Sequence, residues 1–259
     1  MTWFQHLELQ KFLLFTLVLT RTSGLVMTAP IFGTSEIPMQ IRGFLAFTLA
    51  VLMVPSQWHV PVAYPGCLAN YLVFLGGELL IGVALGFGVS ILFAGVDLAG
   101  NVIGQASGLM MAEIFDPAQG DNVPLFSRLL TLVTLAIFVC IGGHRMVMAA
   151  LLDTFQALPP GGGVLPESLP TMFVALVTQS FALGIRAAAP VLAALLLANL
   201  VLGLIGRTVP QLNILALGLG LNALLTLGIM SLSLGAAAWV FQDHVEPTLE
   251  LVLEGILGR

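Results

Sequence analysis

The chain has 259 residues, of which 58% are hydrophobic and 8% charged, whereas soluble globular chains carry about 25% charged residues. Water is therefore not its main solvent, and with a single lysine, Lys11, among eight basic residues there is no basic surface to attract nucleic acid. Much of the net charge of -5 comes from a C-terminal run of Asp243, Glu246, Glu250 and Glu254, which reads as a solvated helix end.

Apolar stretches run over residues 12–32, 44–54, 68–96, 98–115, 129–152, 172–205 and 212–241. The first follows Glu8 and Lys11 without a small-residue cleavage signature, so it is expected to stay in the protein. A spanning helix needs about 20 apolar residues, and the pattern predicts an all-α integral membrane protein of about six to eight helices. The 44–54 stretch is short, and 172–205 is long enough to fold back on itself. With no charged or low-complexity linker, residues 1–259 are expected to form a single membrane domain.

Four charges interrupt these stretches: Arg21, Glu78, Arg145 and Arg186. A charge at the bilayer centre costs about 2.5–3.5 kcal/mol on insertion scales, so these side chains should face protein, water or an interface. Either each marks the bend of a hairpin, or each lies inside a protein assembly. Single arginines are spread along the chain, so loop charge does not set the orientation. Gly82 and Gly86, and then Gly100, Gly104 and Gly108, form rows of small residues that let helix backbones approach closely, within this chain or against a partner.

After the second glycine row comes a segment broken by Pro117, Gly120 and Pro124. Irregular backbone at membrane depth survives only when buried in protein or lining a water-filled cavity. A re-entrant loop would offer Met110, Met111, Ile114 and Phe115 as flexible apolar bulk to close a passage, with Glu113, Asp116 and Asp121 keeping its tip wet. An ordinary exposed loop is the alternative, and the spacing of the three acids does not suit calcium. A second break, from Leu158-Pro159-Pro160 to Pro170, reads as a connector outside the bilayer. In a third, Arg207-Thr208-Val209-Pro210-Gln211-Leu212-Asn213, Gln211 and Asn213 can bond backbone groups left free by Pro210, or the segment is a short polar turn.

Enzyme chemistry lacks its parts. His6, His59, His144 and His244 are scattered, and the metalloprotease, nucleophile-elbow and phosphate-loop patterns are absent from the sequence. His144 beside Arg145 suits either a proton relay or a helix-end polar cluster. Cys67 and Cys140 lie far apart and read as small apolar fillers, not as a metal or redox pair. No catalytic residue, metal or cofactor is expected.

Taken in order, several motifs share one pattern: Arg21-Thr22-Ser23-Gly24, Ala29-Pro30-Ile31-Phe32-Gly33, Ile37-Pro38, the glycine-rich helix from Gly76 to Gly88, Asp116-Pro117 and Gly143-His144-Arg145. Leu158-Pro159, Ala189-Pro190, Asn199 and Gly203-Leu204-Ile205 continue it, and Arg207, Pro210, Gln211 and Asn213 supply its most specific part. The chain resembles the FliR/SctT-like family of type III secretion export-gate proteins over nearly its whole length, and departs from it at Gly218-Leu219-Gly220, where the family commonly carries proline.

That resemblance implies a bacterial inner-membrane subunit at the flagellar basal body. It would pack with FliP-like, FliQ-like and FlhB-like subunits in a helical assembly of hairpins and broken helices. Residues 1–155 would be the FliP-like part and 171–259 the FliQ-like part. The loop around 105–122 would help plug the pore through which unfolded flagellar proteins leave. Met110, Met111, Ile114 and Phe115 would then close it, with Glu113, Asp116 and Pro117 in the plug. Energy would come from the proton-motive force and an export ATPase, outside this chain. The alternatives are a virulence-type (injectisome) gate subunit and a stand-alone transporter. The latter predicts internal inverted repeats, and the glycine rows and proline breaks do not repeat between halves.

Overall fold

A computed structural model describes residues 3–33, 37–60, 66–108, 124–162, 168–209 and 214–258. Among them are seven α-helices and no strand: α1 Trp3–Thr28, α2 Met39–Met53, α3 Leu68–Ser107, α4 Leu125–Cys140, α5 Gly143–Ala157, α6 Leu169–Thr208 and α7 Ile214–Leu257, with a 3-10 turn at Val54–Gln57 after α2. The gate residues Met110, Met111, Glu113, Ile114, Phe115, Asp116 and Pro117 lie outside the described residues, as do Pro210, Gln211 and Asn213.

Local chemistry accounts for the helix ends. Pro38 and Pro124 precede α2 and α4 in extended conformation, where a missing N–H costs nothing. Gly108 stops α3 with φ of 77°, a left-handed conformation that favours glycine. Between α4 and α5 the chain breaks at Ile141 and Gly142, the latter with φ of 78°, and Arg145 follows in the first turn of α5. The 172–205 stretch does not fold back: α6 continues through it, because Pro190 is its one proline and no glycine pair or polar turn offers a reversal.

Among the described residues, five helical segments are long and apolar enough to cross a membrane: Leu9–Thr28, Met39–Gln57, Leu68–Ser107, Leu169–Thr208 and Gly218–Leu257. The broken pair α4 and α5 adds a sixth candidate. This is an all-α membrane protein.

The chain divides into two compact units, and α3, α6 and α7 contribute residues to both. The first comprises Met1–Ile91, Gly142–Val177 and Val245–Arg259. Its core includes Leu17, Leu25, Leu85, Leu151, Phe155 and Val252, each almost fully buried. The second comprises Leu92–Ile141 and Thr178–His244, and it is centred on Phe93, Phe138 and Phe241. Their rings meet edge to face with centroids 5.4 Å, 5.4 Å and 6.3 Å apart, the geometry the aromatic quadrupole prefers. Cys67 and Cys140 are both exposed, so they do not act as buried fillers; Cys67 directly precedes α3 and Cys140 is the last residue of α4.

Candidate functional site: a buried ion pair and the helix contacts around it

In the first unit, α1 and α3 approach until their backbones touch. A Cβ on Gly82 or Gly86 would overlap the Arg21 carbonyl oxygen or the Thr28 hydroxyl, and one on Gly24 would lie 2.8 Å from the Leu79 carbonyl oxygen. Residues without side chains remove that obstacle. Glu78 stands one turn before Gly82 on α3, so the approach that Gly82 permits brings the Glu78 carboxylate to Arg21.

The Arg21 Nε donates to Glu78 Oε2 at 2.6 Å, and both side chains are essentially inaccessible. Arg21 Nη1 donates to Thr154 Oγ1 at 3.3 Å and Nη2 to the Leu158 carbonyl at 2.9 Å. Its guanidinium carbon lies 4.2 Å from the ring centroid of Phe155. Glu78 uses its second oxygen to accept from the Gly161 backbone N–H at 2.8 Å. A buried charge left without partners costs several kcal/mol, and here four partners from α5 and the turn after it satisfy the pair. The proline-glycine connector is thereby tied to α1 and α3.

Around this pair, Thr16 and Tyr71 share a hydrogen bond of 2.6 Å between α1 and α3, and Ser90 donates to the Thr28 carbonyl. Ser168 donates to the Gly255 carbonyl at 3.0 Å, tying the start of α6 to the end of α7. The Nδ1 of His144 is buried without a partner among the described residues, while the neighbouring Arg145 is exposed.

A second polar cluster lies in the second unit. Ser127 of α4 donates to Asp97 Oδ1, and Asn101 Nδ2 donates to Asp97 Oδ2 at 3.2 Å. Gly100 makes this contact possible, because a Cβ there would overlap the Ser127 backbone. Gly95 and Gly184 likewise bring α3 and α6 together, since a Cβ on either would run into the backbone of the other helix. Gly104 and Gly108 sit less tightly, with nearest neighbours at 3.7 Å and 3.6 Å.

The four interrupting charges separate. Arg21 and Glu78 are joined, whereas Arg145 and Arg186 are exposed, the first beside the break before α5 and the second in the middle of unbroken α6. Arg207 is exposed at the end of α6. Sequence reading missed Asp97, Thr154 and the Gly161 amide. Asp97 did leave a signal, since it divides the 68–96 and 98–115 stretches and has Asn101 one turn later. No cluster of three or more His, Cys, Asp or Glu that could hold a metal occurs among the described residues.

Long apolar helices joined through glycine contacts, with Arg21 and Glu78 paired inside the protein, define a membrane protein built for close helix packing. The sequence profile of the family described as Bacterial export proteins, family 1, matches residues 12–248. The flagellar biosynthetic protein FliR of Escherichia coli (strain K12) is 36% identical over 214 residues, 82% of this chain and 79% of its own. FliR of Aquifex aeolicus (strain VF5) is 32% identical over 235 residues, 90% of both chains. FliR of Caulobacter vibrioides (strain ATCC 19089 / CIP 103742 / CB 15) is 28% identical over 239 residues, 91% of this chain and 94% of its own. The chain belongs to the FliR family of bacterial export proteins.

Proposed function

We propose that this chain is a subunit of the flagellar type III protein export gate in the bacterial inner membrane, where it helps form and close the pore that passes unfolded flagellar proteins. The family match across residues 12–248 carries this reading. The Arg21–Glu78 pair, closed inside the chain, supports placing this part of it at membrane depth, where an unpaired charge is costly. The flagellar names of the relatives favour this role over virulence-type secretion.

In this reading residues 1–155 act as a FliP-like part and 171–259 as a FliQ-like part of one membrane domain. FliP-like, FliQ-like and FlhB-like chains are its neighbours, and the exported proteins its passengers. Met110, Met111, Ile114 and Phe115 supply the apolar closure, and Glu113, Asp116 and Pro117 hold the plug in place. The subunit performs no covalent chemistry and needs no cofactor.

Three experiments test this. A deletion strain should lose motility, and mild-detergent purification should retain FliP-like and FliQ-like chains; a motile deletion strain or a solitary subunit rejects the assignment. Replacing Met110 and Met111 together with alanine should make the closed gate leak small ions, and unchanged conductance rejects their gating role.

A further inference from the structure

Within the second unit the C-terminal part of α3 and the whole of α4 lie antiparallel. Three contacts fix their pairing. The rings of Phe93 and Phe138 meet with centroids 5.4 Å apart, Asp97 accepts from Ser127, and the Pro124 side chain lies 3.7 Å from the place a Cβ on Gly104 would take. Gly108, where α3 stops, is one turn beyond Gly104, about 6 Å along the helix. The chain thus leaves α3 and enters α4 at one place, and residues 109–123, among them the gate residues proposed above, lie between these two points in sequence.

The position of α4 at this point is not set by its own sequence. Pro124 makes no side-chain cap and the first turn of α4 holds no acidic residue, so the positive end of the helix dipole lacks its usual local compensation. Asp97 brings a carboxylate to that turn from α3. The carboxylate is itself held, because Asn101 Nδ2 donates to the Asp97 carbonyl at 2.9 Å and to Oδ2 at 3.2 Å, which leaves Oδ1 for the hydroxyl of Ser127. Ser127 is fully buried.

Close approach alone does not choose a register. Gly100 lets the Ser127 backbone touch α3, but a helix can slide along such a groove, and apolar side chains re-form contacts after a small shift. A hydrogen bond does not. One residue of slippage moves Ser127 by about 1.5 Å along the axis and turns it by about 100°, which breaks the bond and strands the carboxylate among apolar neighbours. A lone polar group in an apolar helix pair specifies register at a cost in stability. We propose that Asp97 is a positioning residue: through Ser127 it sets the register of α4 on α3, and so fixes the point to which the gate segment returns and holds the closed state. The gate half of this statement rests on the export-gate reading given above; the register half does not.

Spin labels at exposed Gln105 and Leu125, in a Cys67→Ser and Cys140→Ser background, report the separation of α3 and α4 in the protein purified with its accompanying chains. The labels should broaden each other's spectra, and Ser127→Ala or Asp97→Ala should lose most of that broadening. In unlabelled protein the same two substitutions should raise the ion conductance of the closed gate towards that of the variant carrying Met110→Ala and Met111→Ala. Asp97→Asn should restore both readouts, since its amide oxygen still accepts from Ser127 and its amide group can donate to the Asn101 oxygen. Unchanged broadening in Ser127→Ala and Asp97→Ala overturns the proposal. So does an equal leak from Asn222→Leu, which loosens the same unit away from this contact, because a merely stabilising role predicts it. If the labels separate and conductance stays unchanged while the methionine variant leaks, Asp97 does not hold the gate and that half is overturned. If the methionine variant does not leak either, the export-gate reading fails instead, and the broadening decides the role of Asp97 by itself.

Discussion

Arg21 and Glu78 stand 57 residues apart in sequence, yet the Arg21 Nε lies 2.6 Å from Glu78 Oε2 with both side chains closed off from solvent. Removing one member strands the other. Arg21→Met or Glu78→Leu alone should destabilise the purified protein by about 3–5 kcal/mol, and the double variant should recover more than half of that loss, because apolar replacement of a whole buried pair is often neutral. Thermal unfolding in detergent across the four-member cycle checks this, and a double variant as unstable as the sum of the singles would contradict it.

Glycines in α3 should divide into two classes. Gly82→Ala forces a Cβ into the Arg21 carbonyl oxygen, a backbone atom that cannot turn aside, and should lower the melting temperature and loosen α1 from α3. At Gly76 a Cβ meets nothing within 4 Å, so Gly76→Ala should be neutral or stabilising by about 0.5–1 kcal/mol. Equal effects at the two positions would show that the close helix approach is not what Gly82 provides.

The Asp97 cluster makes a similar demand on the second unit. Asp97→Leu removes the acceptor for both Ser127 and Asn101 and should cost about 1.5–3 kcal/mol, the range for hydrogen bonds to charged groups. Ser127→Ala should cost less, since Asn101 still bonds the carboxylate. Melting curves of the two variants give the order, and the reverse ranking would mean that Asp97 is held by something other than this pair.

Asn199 and Asn222 cross the α6–α7 hairpin with one interhelical hydrogen bond. A double-mutant cycle with Asn199→Leu and Asn222→Leu should give a coupling energy of about 0.6–1.7 kcal/mol, as measured for polar contacts between membrane helices. Zero coupling would leave the hairpin register to apolar packing alone.

Some of this was legible from residue order. Apolar stretches announced the helices because a long uncharged run has one stable form in lipid, a helix with its backbone satisfied internally. The six-to-eight-helix expectation agrees with the seven described, and the expected break at Leu158-Pro159-Pro160 falls where α5 ends. The hairpin suggested for 172–205 did not materialise, because length permits a reversal without causing one and a lone proline interrupts a helix less than a polar turn does. Asp97 was overlooked as a site because it was read as a boundary between two apolar runs instead of as a charge within one helix.

Sequence alone determined that this is a helical membrane protein, which helices carry charge, and which family it belongs to, since composition chooses the solvent and motif order preserves ancestry. Only the tertiary structure decided which charges are satisfied internally: Arg21 and Glu78 meet, Asp97 meets Ser127, and Arg186 remains on the surface. The reason is distance. Contact across tens of residues depends on how closely two helix backbones pass, and at Gly82 and Gly100 that spacing is set by the absence of a single carbon atom.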